Sequence, residues 1–144
     1  MSDRVRYWSP EFIEVYVGLL RTDAGFQKSA RKFDGVIQLR CTDTPGGKDI
    51  TATYTIKKGQ VDVSVDVQDA PGAMRHEKYD KRRCLARTTA PYHLWCKLDR
   101  GEMSVVGAIT SPEYNLEGSK LKVMTNIGLF NAMSAVSAKM DKDF

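Results

Sequence analysis

Three consecutive segments alternate apolar and polar positions with a period of two, the spacing that sends side chains of an extended chain to opposite faces. Residues 35–42 place Ile37, Leu39 and Cys41 on one side. After a turn at Thr44-Pro45-Gly46-Gly47, Ile50, Ala52, Tyr54 and Ile56 alternate with Thr51, Thr53, Thr55 and Lys57. Lys58-Gly59 turns the chain again, and Val61, Val63, Val65 and Val67 alternate with Asp62, Ser64, Asp66 and Gln68. These runs, joined by short glycine-containing turns, predict an antiparallel meander with one wet face and one apolar face that needs a cover.

Helical segments can supply that cover. Residues 9–21 carry Phe12, Ile13, Val15, Tyr16, Val17, Leu19 and Leu20, enough for a broad apolar face. Ser9-Pro10-Glu11 is a suitable start, because serine caps, proline loses nothing at the first helical position and glutamate favours the positive helix end. A second short helix is expected over 25–32 and a fourth strand over 84–89. A helix opened by Pro91 follows and runs through PYHLWCKLDRGEM, with Leu94, Trp95 and Leu98 on one face. Residues 105–109 form another short helix, 113–117 a brief strand, and Lys120 starts a closing helix. That last helix has no charge between Lys122 and Lys139, so its apolar surface exceeds the ~100° stripe of a one-sided surface helix. Runs of strands beside runs of helices predict an α+β fold, a sheet covered on one face.

With 144 residues, 42% hydrophobic and 28% charged, the chain suits one globular domain over 1–144 and excludes disordered and fibrous classes. It has no apolar run of membrane-span length, and MSDRVRYWSPEF lacks a signal-peptide core. Cys41, Cys84 and Cys96 are an odd set without CxxC spacing, which fits reduced thiols and a cytoplasmic location. The net charge of +4 is concentrated. Residues 74–87 hold Arg75, Lys78, Lys81, Arg82, Arg83 and Arg87 against Glu77 and Asp80, a local surplus equal to that of the whole chain. Such a patch is most often a solvated loop; as a functional surface it suits transient contact with an anionic membrane or a partner enzyme through Arg75, Lys78, Lys81, Arg82 and Arg83. Nucleic acid fits less well, since Tyr79 is the only aromatic interleaved for stacking.

Catalytic chemistry is thinly represented. His93 and Cys96 stand three residues apart and can share a helix face, but a cysteine in an apolar helix is more often core than nucleophile. Asp99 and Glu102 read as exposed helix-end carboxylates. Pro45-Gly46-Gly47-Lys48 lacks phosphate-loop spacing and reads as a hairpin turn, and the scattered Cys and His residues lack the paired spacing of a zinc site. No catalytic residue, metal or cofactor is assigned.

In the C-terminal half, Leu94-Trp95-Cys96-Lys97-Leu98, Arg100-Gly101-Glu102, Ala108-Ile109-Thr110-Ser111 and Tyr114-Asn115-Leu116-Glu117-Gly118, followed by a hydrophobic helix, resemble the sterol-carrier-protein-type lipid-binding domain. The resemblance spans residues 34–138, with 1–33 as preceding helices. It departs at Pro112-Glu113, where the family usually has glycine and then a basic or small residue, and at the long charged stretch after Val67. It implies a five-stranded, mixed but mainly antiparallel sheet covered on one face by helices, with an apolar tunnel for a sterol, fatty acid or fatty acyl-CoA. The expected lining is Trp95, Leu98, Ile109 and Leu121, continuing through Met124, Ile127, Phe130 and Met133. Ten buried ligand methylenes contribute on the order of 8 kcal/mol before ordering costs. Methionines such as Met103, Met124 and Met133 favour broad selectivity. The expected function is non-catalytic binding and transfer or presentation of an apolar ligand. The alternative is an accessory subunit of an enzyme complex with a filled cavity, and an enzyme using His93 and Cys96 ranks third.

Overall fold

The computed structural model describes residues 4–144, so the first three residues of the segment MSDRVRYWSPEF lie outside the described residues. A two-residue strand β1 (Val5–Arg6) leads into α1 (Pro10–Leu20), where the Ser9 hydroxyl accepts from the Phe12 N–H at 3.1 Å. Helix α2 (Ala24–Ala30) is capped the same way by Asp23, which accepts from Phe26 N–H at 2.8 Å. The meander follows as β2 (Asp34–Thr42), β3 (Lys48–Lys57) and β4 (Gln60–Asp69), antiparallel throughout.

From β4 the chain crosses one face of the sheet through a single 3₁₀ turn (Ala73–His76) and enters β5 (Ala86–Pro91) parallel to β2. A parallel neighbour requires such a crossover. Helix α3 (Tyr92–Asp99) follows directly after the strand and is shorter than expected, terminating before Gly101 at φ +75°. Next come α4 (Val105–Ile109) and β6 (Asn115–Gly118), which pairs antiparallel with β5. The five-stranded sheet has the order β4-β3-β2-β5-β6. Gly118 closes β6 at φ +119°, where a Cβ would lie 2.6 Å from the Leu85 carbonyl oxygen, so a side chain there is excluded.

The closing helix is two helices. Lys120–Thr125 forms α5 and Ile127–Ala138 forms α6, separated by non-helical Asn126 (φ −106°, ψ 21°), whose side-chain amide donates to the Lys122 carbonyl at 2.8 Å. Competition of a short amide side chain with the backbone ladder is the physical reason for the break. Helix α6 packs against α1, α2, α3 and α4, which accounts for its wide apolar surface. A last strand, β7 (Lys142–Asp143), pairs in parallel with β1 and ties the two ends of the chain together.

Register sorts the sheet into two faces. Ile37, Leu39 and Cys41 of β2 align with Tyr54, Ala52 and Ile50 of β3, and these with Val63, Val65 and Val67 of β4. This face carries α1, α3 and α6 and most of the core. Its cover stops short over the far half of β4, where Val65 and Val67 stay exposed. The other face shows Gln38 and Arg40 beside Thr53 and Thr51, with Arg87 next to Gln38 and Glu117 next to Arg87. The crossover lies on it, and buried Met74 sits against the Thr51 hydroxyl.

Candidate functional site

Between the apolar sheet face and the helices lies a cavity of about 80 Å³. Leu39 and Tyr54 form its floor; α1 contributes Phe12, Ile13 and Tyr16, α3 contributes Trp95 and Leu98, and α6 contributes Phe130 and Met133. Tyr7 and Trp8, from the turn after β1, close it. Trp8 holds φ +64° and its ring lies 5.1 Å from that of Trp95. Trp95 is fixed in turn by its indole N–H, which donates to the Arg40 and Ala90 carbonyls at 3.1 Å each. The Tyr16 hydroxyl donates to the Met133 carbonyl at 2.8 Å, bolting α1 to α6. Burial, and then the nearby Tyr54 and Asp99, push the Tyr16 phenol well up, so it remains a neutral donor. The Trp8 indole N–H is buried and has no acceptor among the described residues.

Among the described residues, Asp99 is the charged one on the cavity wall. Its carboxylate takes the Ser137 hydroxyl at 2.5 Å and the Lys142 ammonium at 2.6 Å, and both charged side chains are only 3% exposed. The expectation of an exposed helix-end carboxylate is therefore corrected: β7 carries a cation inward to meet Asp99. Beyond this pair a wider hollow of about 800 Å³ lies between the α3–α4 loop, α6 and the C-terminal tail. Leu98, Asp99, Val105 and Ser134 line both spaces, so the two are neighbours across one wall.

Four of the eight expected lining residues, Trp95, Leu98, Phe130 and Met133, meet at the inner cavity. The other four do not line it. Ile109 and Ile127 are half-buried, and Leu121 and Met124 are exposed. Asn126 interrupts the helical phase, so positions counted continuously from Leu121 to Met133 do not share a face; in α4 it is Ala108 that turns inward. In place of the expected tunnel is a cavity well below the ~300–1,000 Å³ of a typical ligand site, because the N-terminal aromatics occupy much of the space. Those aromatics precede the segment that carries the family resemblance. The tyrosine-tryptophan pair before the helix cap and Phe12 and Tyr16 four residues apart were the available signal.

The remaining candidates separate. His93 points outward to Glu113 at 2.9 Å, whereas Cys96 is buried. Burial, ahead of the Tyr92 and Arg100 contacts that oppose it, raises the Cys96 thiol, the reverse of nucleophile activation. Arg75 is engaged within the fold. It grips Asp49 through two nitrogens at 2.6 and 2.8 Å and also reaches Asp43 at 2.8 Å. Arg87 is buried, bonded to Glu117 at 2.8 Å and to the Glu77 carbonyl at 2.8 Å. The basic segment is thus divided between structural arginines and the exposed Lys78, Lys81, Arg82 and Arg83.

No protein-family model and no curated protein matches the sequence. Solved structures do. Crystalline sterol carrier protein 2 superposes with a TM-score of 0.74 at 12% identity, over 94% of this chain and 99% of that one. The chain has the sterol carrier protein 2 fold. A Thermus thermophilus protein described as possibly a sterol carrier protein gives 0.71 at 11% identity, over 99% of this chain and 94% of that one. UbiJ-SCP2, a ubiquinone synthesis protein, gives 0.52 at 13% identity over 87% and 84%. The fold includes the helices before residue 34, so the likeness extends beyond the segment legible in sequence.

Proposed function

We propose that the protein is a non-catalytic binder of an apolar ligand, a sterol, fatty acid or fatty acyl-CoA, which it transfers or presents. The observation that carries the reading is the apolar cavity between sheet and helices, walled off by a few side chains from a hollow of ligand size. An engineered cavity of ~150 Å³ accommodates one benzene, so about 80 Å³ receives an acyl chain only if the shared wall of Leu98, Asp99, Val105 and Ser134 moves. The chain then runs from the wide hollow inward, and the Trp8 N–H supplies a donor for a hydroxyl or carbonyl on the guest. Similarity of fold to sterol carrier protein 2 supports the same reading. Unpaired, buried thiols suit a reducing compartment, the cytoplasm.

The test is uptake of a fluorescent fatty-acyl probe by delipidated protein, with native mass spectrometry of the protein as purified. Saturable one-to-one uptake, weakened by filling the cavity with Leu39→Trp, is the expected result. Absence of uptake, with no lipid co-purifying, refutes the carrier. The small inner volume and the likeness to a ubiquinone synthesis protein favour a second reading, an accessory subunit with a filled cavity. A stoichiometric protein partner recovered from protein that takes up no probe selects it.

A further inference from the structure

Helix α5 presents an outward face that the cavity does not use. Val123 points inward and is buried, while Leu121 is 77% and Met124 44% exposed. At 100° per residue these two apolar side chains share one side of the helix, with Lys120 flanking Met124 and Lys122 flanking Leu121. Lys122 also lines a groove of about 730 Å³ whose opposite wall is the loop carrying Lys81, Arg82 and Arg83. Among the described residues, Lys81, Arg82 and the two α5 lysines have no carboxylate within ion-pair reach, and Arg83 has only Asp80 at 3.9 Å. Among the described residues, Asp34 is the one carboxylate on the groove wall. Arg75 and Arg87 of the same basic segment are held by Asp49 and Glu117 and contribute nothing here.

We infer that α5 and the 81–83 loop together form a docking foot for an anionic lipid bilayer. Lys120 and Lys122 flank two protruding apolar side chains, and Lys81, Arg82 and Arg83 line the groove that Lys122 shares, a pattern that fits a surface with acidic head groups above hydrocarbon. An acidic protein surface would satisfy the lysines and arginines, whereas hydrocarbon beneath acidic head groups also takes up the exposed Leu121 and Met124. The inference rests on the carrier reading for its purpose, since a carrier must meet the membrane it loads from. Asn126 links this foot to α6, which bears the cavity residues Phe130 and Met133.

The experiment is co-sedimentation of the full chain, without cargo, with vesicles of phosphatidylcholine and phosphatidylserine mixed about three to one. Binding is expected to fall steeply between about 0.1 M and about 1 M salt. The triple variant Lys81→Glu, Arg82→Glu, Arg83→Glu should lose at least about tenfold in binding. Reversal of the exposed Lys28, Arg31 and Lys32, an equal change in net charge, should leave most of it. The indole introduced by Leu121→Trp should be quenched by bromine-labelled acyl chains. No binding to acidic vesicles, equal loss in both triple variants, or an introduced indole that stays unquenched overturns the foot; so does a foot that binds an acidic protein while ignoring vesicles. Acyl-probe uptake is read in vesicle-free solution, so failure of the carrier reading and failure of the foot give different results.

Discussion

The two faces of the sheet are built from the same strands by different physics. On the cavity face, Ile37, Leu39, Ala52 and Tyr54 bury apolar area, which is non-directional and leaves room for an imperfectly filled space. On the crossover face, fully buried Asp49 accepts from the Gly72 and Asp43 backbone N–H groups as well as from Arg75, and Arg87 joins Glu117 to the Glu77 backbone. Those bonds have fixed directions, and they pin the long crossover that makes β5 parallel to β2. One face leaves a cavity unfilled; the other holds the topology.

The largest test of this contrast is Arg75→Ala. It leaves the Asp49 carboxylate buried without its cation, and urea unfolding should show a loss of about 3 kcal/mol or more. If the loss stays below about 1 kcal/mol, direction on this face is not what fixes the crossover. Next is Met133→Ala on the opposite face, expected to cost about 2 to 4 kcal/mol while the fold persists. The same variant enlarges the apolar cavity, so it should take up benzene or xenon that the parent does not. Unfolding of this variant, or an unchanged cavity, would remove the tolerance ascribed to that face.

Acid dependence is a smaller and more specific signature. Burial alone would raise the Asp49 carboxyl, but the Arg75 guanidinium and the Gly72 and Asp43 N–H groups outweigh it and bring the group down to about 2. A carboxyl depressed below its unfolded value of ~3.9 contributes stability above that value and loses it as pH falls toward the folded one. About 2 to 3 kcal/mol should therefore disappear between about pH 4 and pH 2, and Asp49→Asn should lack that component. A parallel slope in wild type and variant would show that other carboxylates govern the acid limb.

The meander was legible because a period of two survives in sequence wherever one face is buried, and the valines of β4 show it even where their cover stops. The strand pair β1 and β7 was not legible, since two residues have no period, yet it places Tyr7 and Trp8 at the cavity and Lys142 against Asp99 on its wall. Trp95, Leu98, Phe130 and Met133 face the cavity because α3 and α6 keep helical phase over those positions. Leu121 and Met124 lie outside the cavity, exposed on α5, because Asn126 breaks that phase without a glycine or proline to announce it. Burial of Asp99 depends on a cation more than forty residues away in the chain, and local spacing carries no trace of that.

The basic segment poses the same problem within fourteen residues, and it supplies the smallest effect. Arg75 and Arg82 are indistinguishable by composition, but the first is clamped on a buried carboxylate and the second projects into solvent with no side-chain partner among the described residues. Arg82→Ala should change unfolding stability by less than about 0.5 kcal/mol, against about 3 or more for Arg75→Ala. Exposed charges are stabilised by water about as well as by a distant neighbour, and only a desolvated partner makes removal costly. A charge that costs the fold little to lose is free for an outside surface, so Arg82→Ala should register in vesicle binding and hardly at all in the urea midpoint. If both variants instead shift the midpoint equally, the division of this segment into inward and outward arginines fails.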